Sequence, residues 1–264
     1  KNITITQKCG KWYASIQTER EVEQTEHTAT SMVGVDVGIT RFATLSTGQV
    51  FEAVNSFKQK QTRLARYQRA LSRKVKFSSH WKKQKGKITQ LHSTIANIRQ
   101  DYLHKTTSTI SQNHAMIVIE DLQVSNMSKR AKGTIQTKGR NVKAKSGLNR
   151  SILDQGWFEF RRQLEYKQAW AGGEVLAVNP RNTSRKCPCC KHVAKENRLT
   201  QAKFECVECG YADNADLVGA INILAAGHAV LARGVTVQQD RTVKREPTEG
   251  IRKSSREPVG IPAL

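Results

Sequence analysis

The rhythm of apolar and polar positions changes several times along this chain. Ile3 and Ile5, then Trp12, Ala14 and Ile16, alternate with polar neighbours across Lys8-Cys9-Gly10-Lys11, which predicts a β-hairpin. A two-stranded hairpin is marginal alone in water, so it is expected to belong to a larger sheet and the chain to be a fragment. After a polar, acidic stretch from Glu19 to Thr30, the Val-rich run Met32 to Ile39 predicts a strand. Strands from Arg41 to Ser46 and from Val50 to Val54 follow, joined at Thr47-Gly48. Then the period lengthens. Leu64, Tyr67, Leu71 and Val75, and later Ile88, Leu91, Ile95, Ile98 and Tyr102, recur at helical spacing and predict a helical hairpin at about 55–107. Its break is expected near Phe77-Ser78-Ser79-His80. Gly86 costs the second helix about 1 kcal/mol relative to Ala, so its first turns are expected to fray.

Ala115 to Leu122 is a nearly continuous apolar run, the mark of a central strand covered on both faces. Ser125 to Asn149 is basic and without period, and reads as a mobile loop. Residues 151–170 predict one helix with Ile152, Leu153, Trp157, Phe160 and Leu164 on a single face. Glu174 to Val178 predicts another strand, and Asp216 to Leu231 a final helix with Leu217, Ala220, Ile221, Leu224 and Ala225 inward. Residues 233–264, rich in charge, Pro and Gly, read as a disordered tail. Strands alternating with helices place the chain in the α/β class.

Charge sharpens this picture. Of 264 residues, 44 are Lys or Arg and 22 are Asp or Glu, a formal net charge of +22. Residues 58–105 hold 14 of the cations and a single acid, Asp101, and residues 129–150 hold eight cations and no acid. A basic run is ordinarily a solvated face, but two runs carrying nearly all the net charge favour a polyanionic partner, most simply nucleic acid. Arg63, Arg66, Arg69, Arg73, Lys74, Lys82, Lys83, Lys138, Arg140 and Lys143 are the expected contacts. No run approaches the roughly 20 apolar residues of a membrane helix, and the first 30 residues lack the plan of a signal peptide. Neither secretion nor a membrane-spanning segment is therefore expected.

Six cysteines stand at 9, 187, 189, 190, 206 and 209. Cys187-x-x-Cys190 and Cys206-x-x-Cys209, 15 residues apart, have the spacing of a four-thiolate zinc ribbon. Two disulfides are the alternative, and they would need an oxidising compartment. Cys189 lies beside both thiols of the first pair and could replace one. With four protein ligands the zinc would have no open position and would be structural.

Three acids stand out by position. Asp36 interrupts an apolar strand, Glu120 ends another, and Asp216 opens the last helix with Asp213 just before it. An acid in a buried strand costs several kcal/mol unless it is paired or binds a metal. Brought to one end of a sheet, three carboxylates would be stabilised by shared Mg²⁺, and a pair of such ions hydrolyses phosphodiesters. Plainer readings stay open: Asp36 paired with a lysine, Asp216 capping its helix, Glu120 in solvent.

Gly34-Val35-Asp36-Val37-Gly38-Ile39, Ile119-Glu120-Asp121-Leu122 and Asp216 to Leu224 resemble the three RuvC motifs of the TnpB (OrfB) family. That family comprises accessory proteins of insertion sequences related to type V CRISPR nucleases. Asn149 to Trp157, and Asn179-Pro180 through Ser184 to the cysteine pairs, resemble its linking helix and zinc ribbon, so the likeness runs from about residue 31 to 232. The resemblance implies a ribonuclease H-like α/β fold interrupted by a helical hairpin and a zinc ribbon. It implies an Mg²⁺-dependent, RNA-guided DNA endonuclease with DNA and a guide RNA as partners. Asp36, Glu120 and Asp216 match the catalytic, magnesium-binding acids, and Cys187, Cys190, Cys206 and Cys209 the zinc ligands. The implied organisation is a remnant of a β-rich wedge domain and linker over 1–30, a nuclease core over 31–178, a ribbon over 179–212 and the last motif over 213–232.

The sequence departs from the family in three places. Val218-Gly219 stands where an Asn-Ala pair is usual, Lys191 follows Cys190 in place of Gly, and most of the family's N-terminal half is missing. The first departure loosens the choice between Asp213 and Asp216, with Asp216 preferred for its spacing to Leu224. The third bears on guided cleavage, so the alternative function is a catalytically silent nucleic-acid-binding regulator or a truncated remnant.

Overall fold

The computed structural model describes residues 2–19, 25–134, 136 and 138–234. The tail expected over 233–264 therefore lies, from residue 235, outside the described residues. The N-terminal hairpin pairs β1 (Ile3–Lys8) with β2 (Lys11–Ile16), Ile3 opposite Ile16 and Lys8 opposite Lys11, turning at Cys9 and Gly10. Its apolar face, with Ile3, Ile5, Trp12 and Ile16, is exposed.

The main sheet has five strands in the order β5-β4-β3-β6-β7. They are β3 (Met32–Val37), β4 (Arg41–Leu45), β5 (Val50–Glu52), β6 (Met116–Glu120) and β7 (Glu174–Val178). β3, β4 and β5 form an antiparallel meander, whereas β3, β6 and β7 run parallel. Parallel neighbours need long crossovers, and helices supply them. The first crossover is the helical hairpin, α1 (Ser56–Ser72) and α2 (Ser79–Asn113). It ends six residues later than expected, because Thr106, Thr107, Ile110 and Ser111 continue the buried stripe onto the sheet. Ser78 caps α2 by accepting from the Trp81 N–H at 3.2 Å.

Short α3 (Val124–Met127), then α4 (Val142–Gln155) and α5 (Trp157–Ala171), form the second crossover. Two expectations are corrected here. The aperiodic stretch 125–149 is not all loop: α4 begins at Val142, and Asn149 Nδ2 donates to the carbonyls of Ser128 and Lys129 at 2.8 and 3.2 Å. The single helix expected over 151–170 is two, because Gly156 takes the left-handed conformation (φ 74°). Leu153 consequently leaves the face of Trp157, Phe160 and Leu164 and is 57% exposed.

One face of the sheet is covered by α2 and α5. Phe42 of β4 meets Tyr102 and Phe160 edge-on at 5.2 and 5.0 Å. The other face is covered by α6 (Ala215–Ala232), which buries Val218, Gly219, Ala220, Asn222, Ile223 and Gly227. Ala225, expected inward, is exposed, because the buried stripe lies one position round the helix. α6 is long and apolar enough to cross a membrane by composition alone, yet its packed face lies on β3. Gly34 permits that approach: a Cβ there would stand 2.2 Å from the Ala220 carbonyl oxygen. Between β7 and α6 lies a cysteine module with a bridge between Lys186 and Val193 and two short strands, β8 (Lys203–Glu205) and β9 (Ala212–Asn214).

Candidate active site and cysteine cluster

Strand alternation decides which side chains meet. Val33, Val35, Ile117 and Ile119 enter the core beneath α2 and α5, so Asp36 and Glu120 face the α6 side. Val35 pairs with Ile119, and one step further Asp36 comes level with Glu120. The third carboxylate arrives on α6. Asn214 caps that helix, its Oδ1 accepting from the Asp216 and Leu217 N–H groups at 3.0 and 3.4 Å. Asp216 is therefore not the cap; its Oδ1 lies 3.6 Å from Arg198 Nη2. Asp213 is engaged elsewhere, accepting from the Tyr211 hydroxyl at 3.0 Å and the Asn214 N–H at 2.7 Å.

The three acids share one electrostatic environment. Burial, followed by the charges of Glu120 and Asp216, pushes the Asp36 carboxyl up to about 8, and Arg198 opposes the shift. Burial also raises Glu120, against a hydrogen bond from Thr183 and the field of Arg198. Asp36 thus faces two acids and one guanidinium, not a lysine.

α6 positions more than its own acid. A Cβ at residue 219 would lie 2.9 Å from Asp36 Oδ2 and 3.2 Å from its Cγ, so Gly219 is the surface on which that carboxylate rests. Asn222, 6% exposed, donates from Nδ2 to the carbonyls of Thr183 and Lys186 at 2.8 and 2.7 Å. Thr183 Oγ1 in turn donates to Glu120 Oε1 at 2.5 Å. Thr183 lies inside the 179–184 segment of the resemblance but carries no assigned role there, and Arg198 sits in an aperiodic stretch that offers no signal. Asn222 was a polar residue inside an apolar helix, and that signal was available. Gly219 was noticed only as a departure.

Cys187, Cys190, Cys206 and Cys209 bring their sulfurs within 4.8 Å of one another. Cys187 and Cys209 Sγ are 3.6 Å apart, and Cys190 and Cys206 Sγ 3.5 Å. A tetrahedral ion with bonds of about 2.3 Å sets its sulfurs about 3.8 Å apart, so this donor set fits zinc. Cys189 is exposed and outside the cluster. Lys191, the departure from Gly, adopts φ 67°, the left-handed conformation that favours glycine. Cys187 and Cys206 pack with Phe204, Ala215 and Val218, which joins the cluster to the start of α6.

All the basic residues singled out in the sequence are exposed, Arg63 to Lys83 on the helical hairpin and Lys138, Arg140 and Lys143 around the start of α4. The two stretches border one another where Asp154 of α4 accepts from Ser56 Oγ and the Phe57 N–H at the start of α1.

Known proteins match this chain in the order of its elements. A family profile described as "OrfB_IS605: Probable transposase" matches residues 15–131, and one described as "Cas12f1-like, TNB domain" matches residues 157–223. "Putative RNA-guided DNA endonuclease InsQ" of Escherichia coli (strain K12) is 66% identical over 255 residues, 97% of this chain and 63% of that protein. The chain belongs to the TnpB (OrfB) family. A member from Streptomyces pristinaespiralis is 34% identical over 99% of this chain and 62% of its own length. This TnpB-family chain thus spans about three fifths of these curated relatives. Among solved structures, a Cas12f1–sgRNA–target DNA complex aligns with a TM-score of 0.48 at 18% identity, covering 84% of this chain and 55% of the other.

Proposed function

We propose that this chain carries the nuclease centre of an RNA-guided DNA endonuclease, built on a ribonuclease H-like core over about 31–178 and 213–232, with a zinc ribbon between. The observation that carries the reading is the convergence of Asp36, Glu120 and Asp216, with the Asp36 carboxyl driven to about 8 by burial and by the two other acids. The three carboxylates offer hard oxygen donors whose chemistry suits Mg²⁺, although among the described residues only the four cysteines bring their ligand atoms within 4.8 Å of one another. Mg²⁺ held there would supply the Lewis acidity for phosphodiester hydrolysis.

The chain's own residues do the rest. Gly219 and Thr183 fix the two strand carboxylates from opposite partners, and Arg198, 3.6 Å from Asp216, brings a cation to the same place. A guanidinium suits a phosphate oxygen as well as a carboxylate, so Arg198 would orient the DNA backbone once the acids are neutralised. Zinc on the four cysteines would keep the start of α6, and with it Asp216, in place. The basic face of the helical hairpin and the 128–141 loop would hold DNA and guide RNA through their phosphates.

The test is cleavage of labelled single-stranded and duplex DNA by the purified chain in Mg²⁺, beside Glu120→Gln. Cutting by the parent alone is expected. Equal cutting by both, or tight salt-dependent binding with cutting by neither, overturns the nuclease reading in favour of a silent binder.

A further inference from the structure

Two costly features of the helical hairpin meet in one place. Phe77, in the turn between α1 and α2, has φ 67°, a left-handed, strained conformation that a bulky side chain rarely adopts. Gly86 lies within α2, where it weakens the helix relative to Ala, and a Cβ built on it meets nothing within 4 Å. Both residues line one open cleft of about 660 Å³, together with Cys9 and Gly10 of the N-terminal hairpin turn.

The walls of that cleft are aromatic and its rim is cationic. The Phe77 and Trp81 rings are 5.4 Å apart, and Phe77 is 69% exposed. Lys85 Nζ stands 5.1 Å from the centre of the Trp81 ring, and Lys82 lines the cleft beside it. Thr89 and Gln90 add polar groups to its lining. No acid lies between residues 58 and 100.

We propose that this cleft is a base-binding subsite for a single-stranded nucleic acid. One unpaired base would stack on Phe77 and Trp81, with its flanking phosphates held by Lys82 and Lys85. Stacking on aromatic rings is tolerant of base identity, and lysines at the rim favour the phosphates on either side. A base still paired within a duplex cannot enter, so the subsite selects single strands. Gly86 acquires a purpose in this reading: any larger side chain on that turn of α2 would occupy the space of the base. The inference rests on the nucleic-acid-binding part of the proposed function and is independent of the acid cluster.

The test uses a 12-nucleotide single strand with one central 2-aminopurine, as RNA and as DNA, and the same sequence as a duplex, in magnesium-free buffer. Quenching of 2-aminopurine by the parent with both single strands, and its absence with the duplex, is expected. Two variants separate binding from folding. Phe77→Gly removes the ring while relieving the backbone, and Gly86→Leu fills the cleft while strengthening the helix; both should keep or raise thermal stability. Each should bind the single strand about tenfold more weakly, within the range of one stacked base, and lose the quenching. Parent-like affinity and quenching in both variants, or equal quenching by the duplex, overturns the subsite. Loss of cleavage in Glu120→Gln leaves this measurement untouched, so the two readings fail separately.

Discussion

The carboxylate of Asp36 lies against the bare Cα of Gly219, where a Cβ would stand 2.9 Å from Oδ2. A strand acid and a helix glycine thereby share one space. Gly219→Ala should leave the fold intact, because the crowded atom ends a short side chain that can turn aside. Mn²⁺ affinity, read by titration, should fall about tenfold, equivalent to about 1.4 kcal/mol. Unchanged affinity would show that Asp36 does not need this seat.

Thr183 makes a different prediction. Its hydroxyl holds the Glu120 pKa down against burial, so Thr183→Val should raise that pKa further and move the rising limb of the cleavage–pH profile to higher pH. Thr183→Ser keeps the donor and should restore the parent profile. A profile that moves in neither variant, with only the overall rate reduced, would assign Thr183 a purely structural part.

Asn222 acts one step back. Asn222→Ala leaves the carbonyls of Thr183 and Lys186 without their donor in a buried place, at about 1–3 kcal/mol for each unsatisfied group. Denaturant unfolding should register a loss of about 2–6 kcal/mol. A loss below about 0.5 kcal/mol, the size of an ordinary surface change, would mean that water replaces the amide.

Stability should also report on Asp36. Its carboxyl holds a proton up to about pH 8 in the fold, against an ordinary value of 3.8. Between those values the folded chain binds the extra proton, so unfolding free energy falls as pH rises from about 4 to about 8. In magnesium-free buffer the parent should lose stability over this window, and Asp36→Asn should lose less. Parallel curves for the two proteins would contradict the shift.

Metal content separates the cysteines. Cys206→Ser should lose bound zinc and melt at lower temperature, since the sulfur also packs with Phe204 and Val218. Cys189→Ser should keep one zinc per chain by elemental analysis. A zinc-free Cys189→Ser protein would transfer the ligand role to Cys189.

The strands were readable in the sequence because buried parallel strands are continuous apolar runs, and Ala115–Leu122 and Glu174–Val178 have no other reading. The helical hairpin was readable through its spacing, but its end at Asn113 was not, since Thr106, Thr107 and Ser111 are polar residues buried by tertiary packing. α4 was hidden for a related reason: Asn149 is held by backbone carbonyls of a distant loop, and no local period announces that. Asp36 and Glu120 stood out as acids within apolar strands. Their supports at Thr183, Arg198 and Gly219 depend on contacts between segments far apart in the chain, which spacing does not encode.

α6 carries Asp216, Gly219 and Asn222 at three-residue intervals, and each serves a different carboxylate. A helix turns about 100° and rises about 1.5 Å per residue. One inserted or deleted residue between 216 and 222 would swing half of this row away from its partners while leaving composition and helicity intact. The segment is therefore a ruler whose length is fixed: substitutions along its outer face can drift freely, but its reading frame cannot.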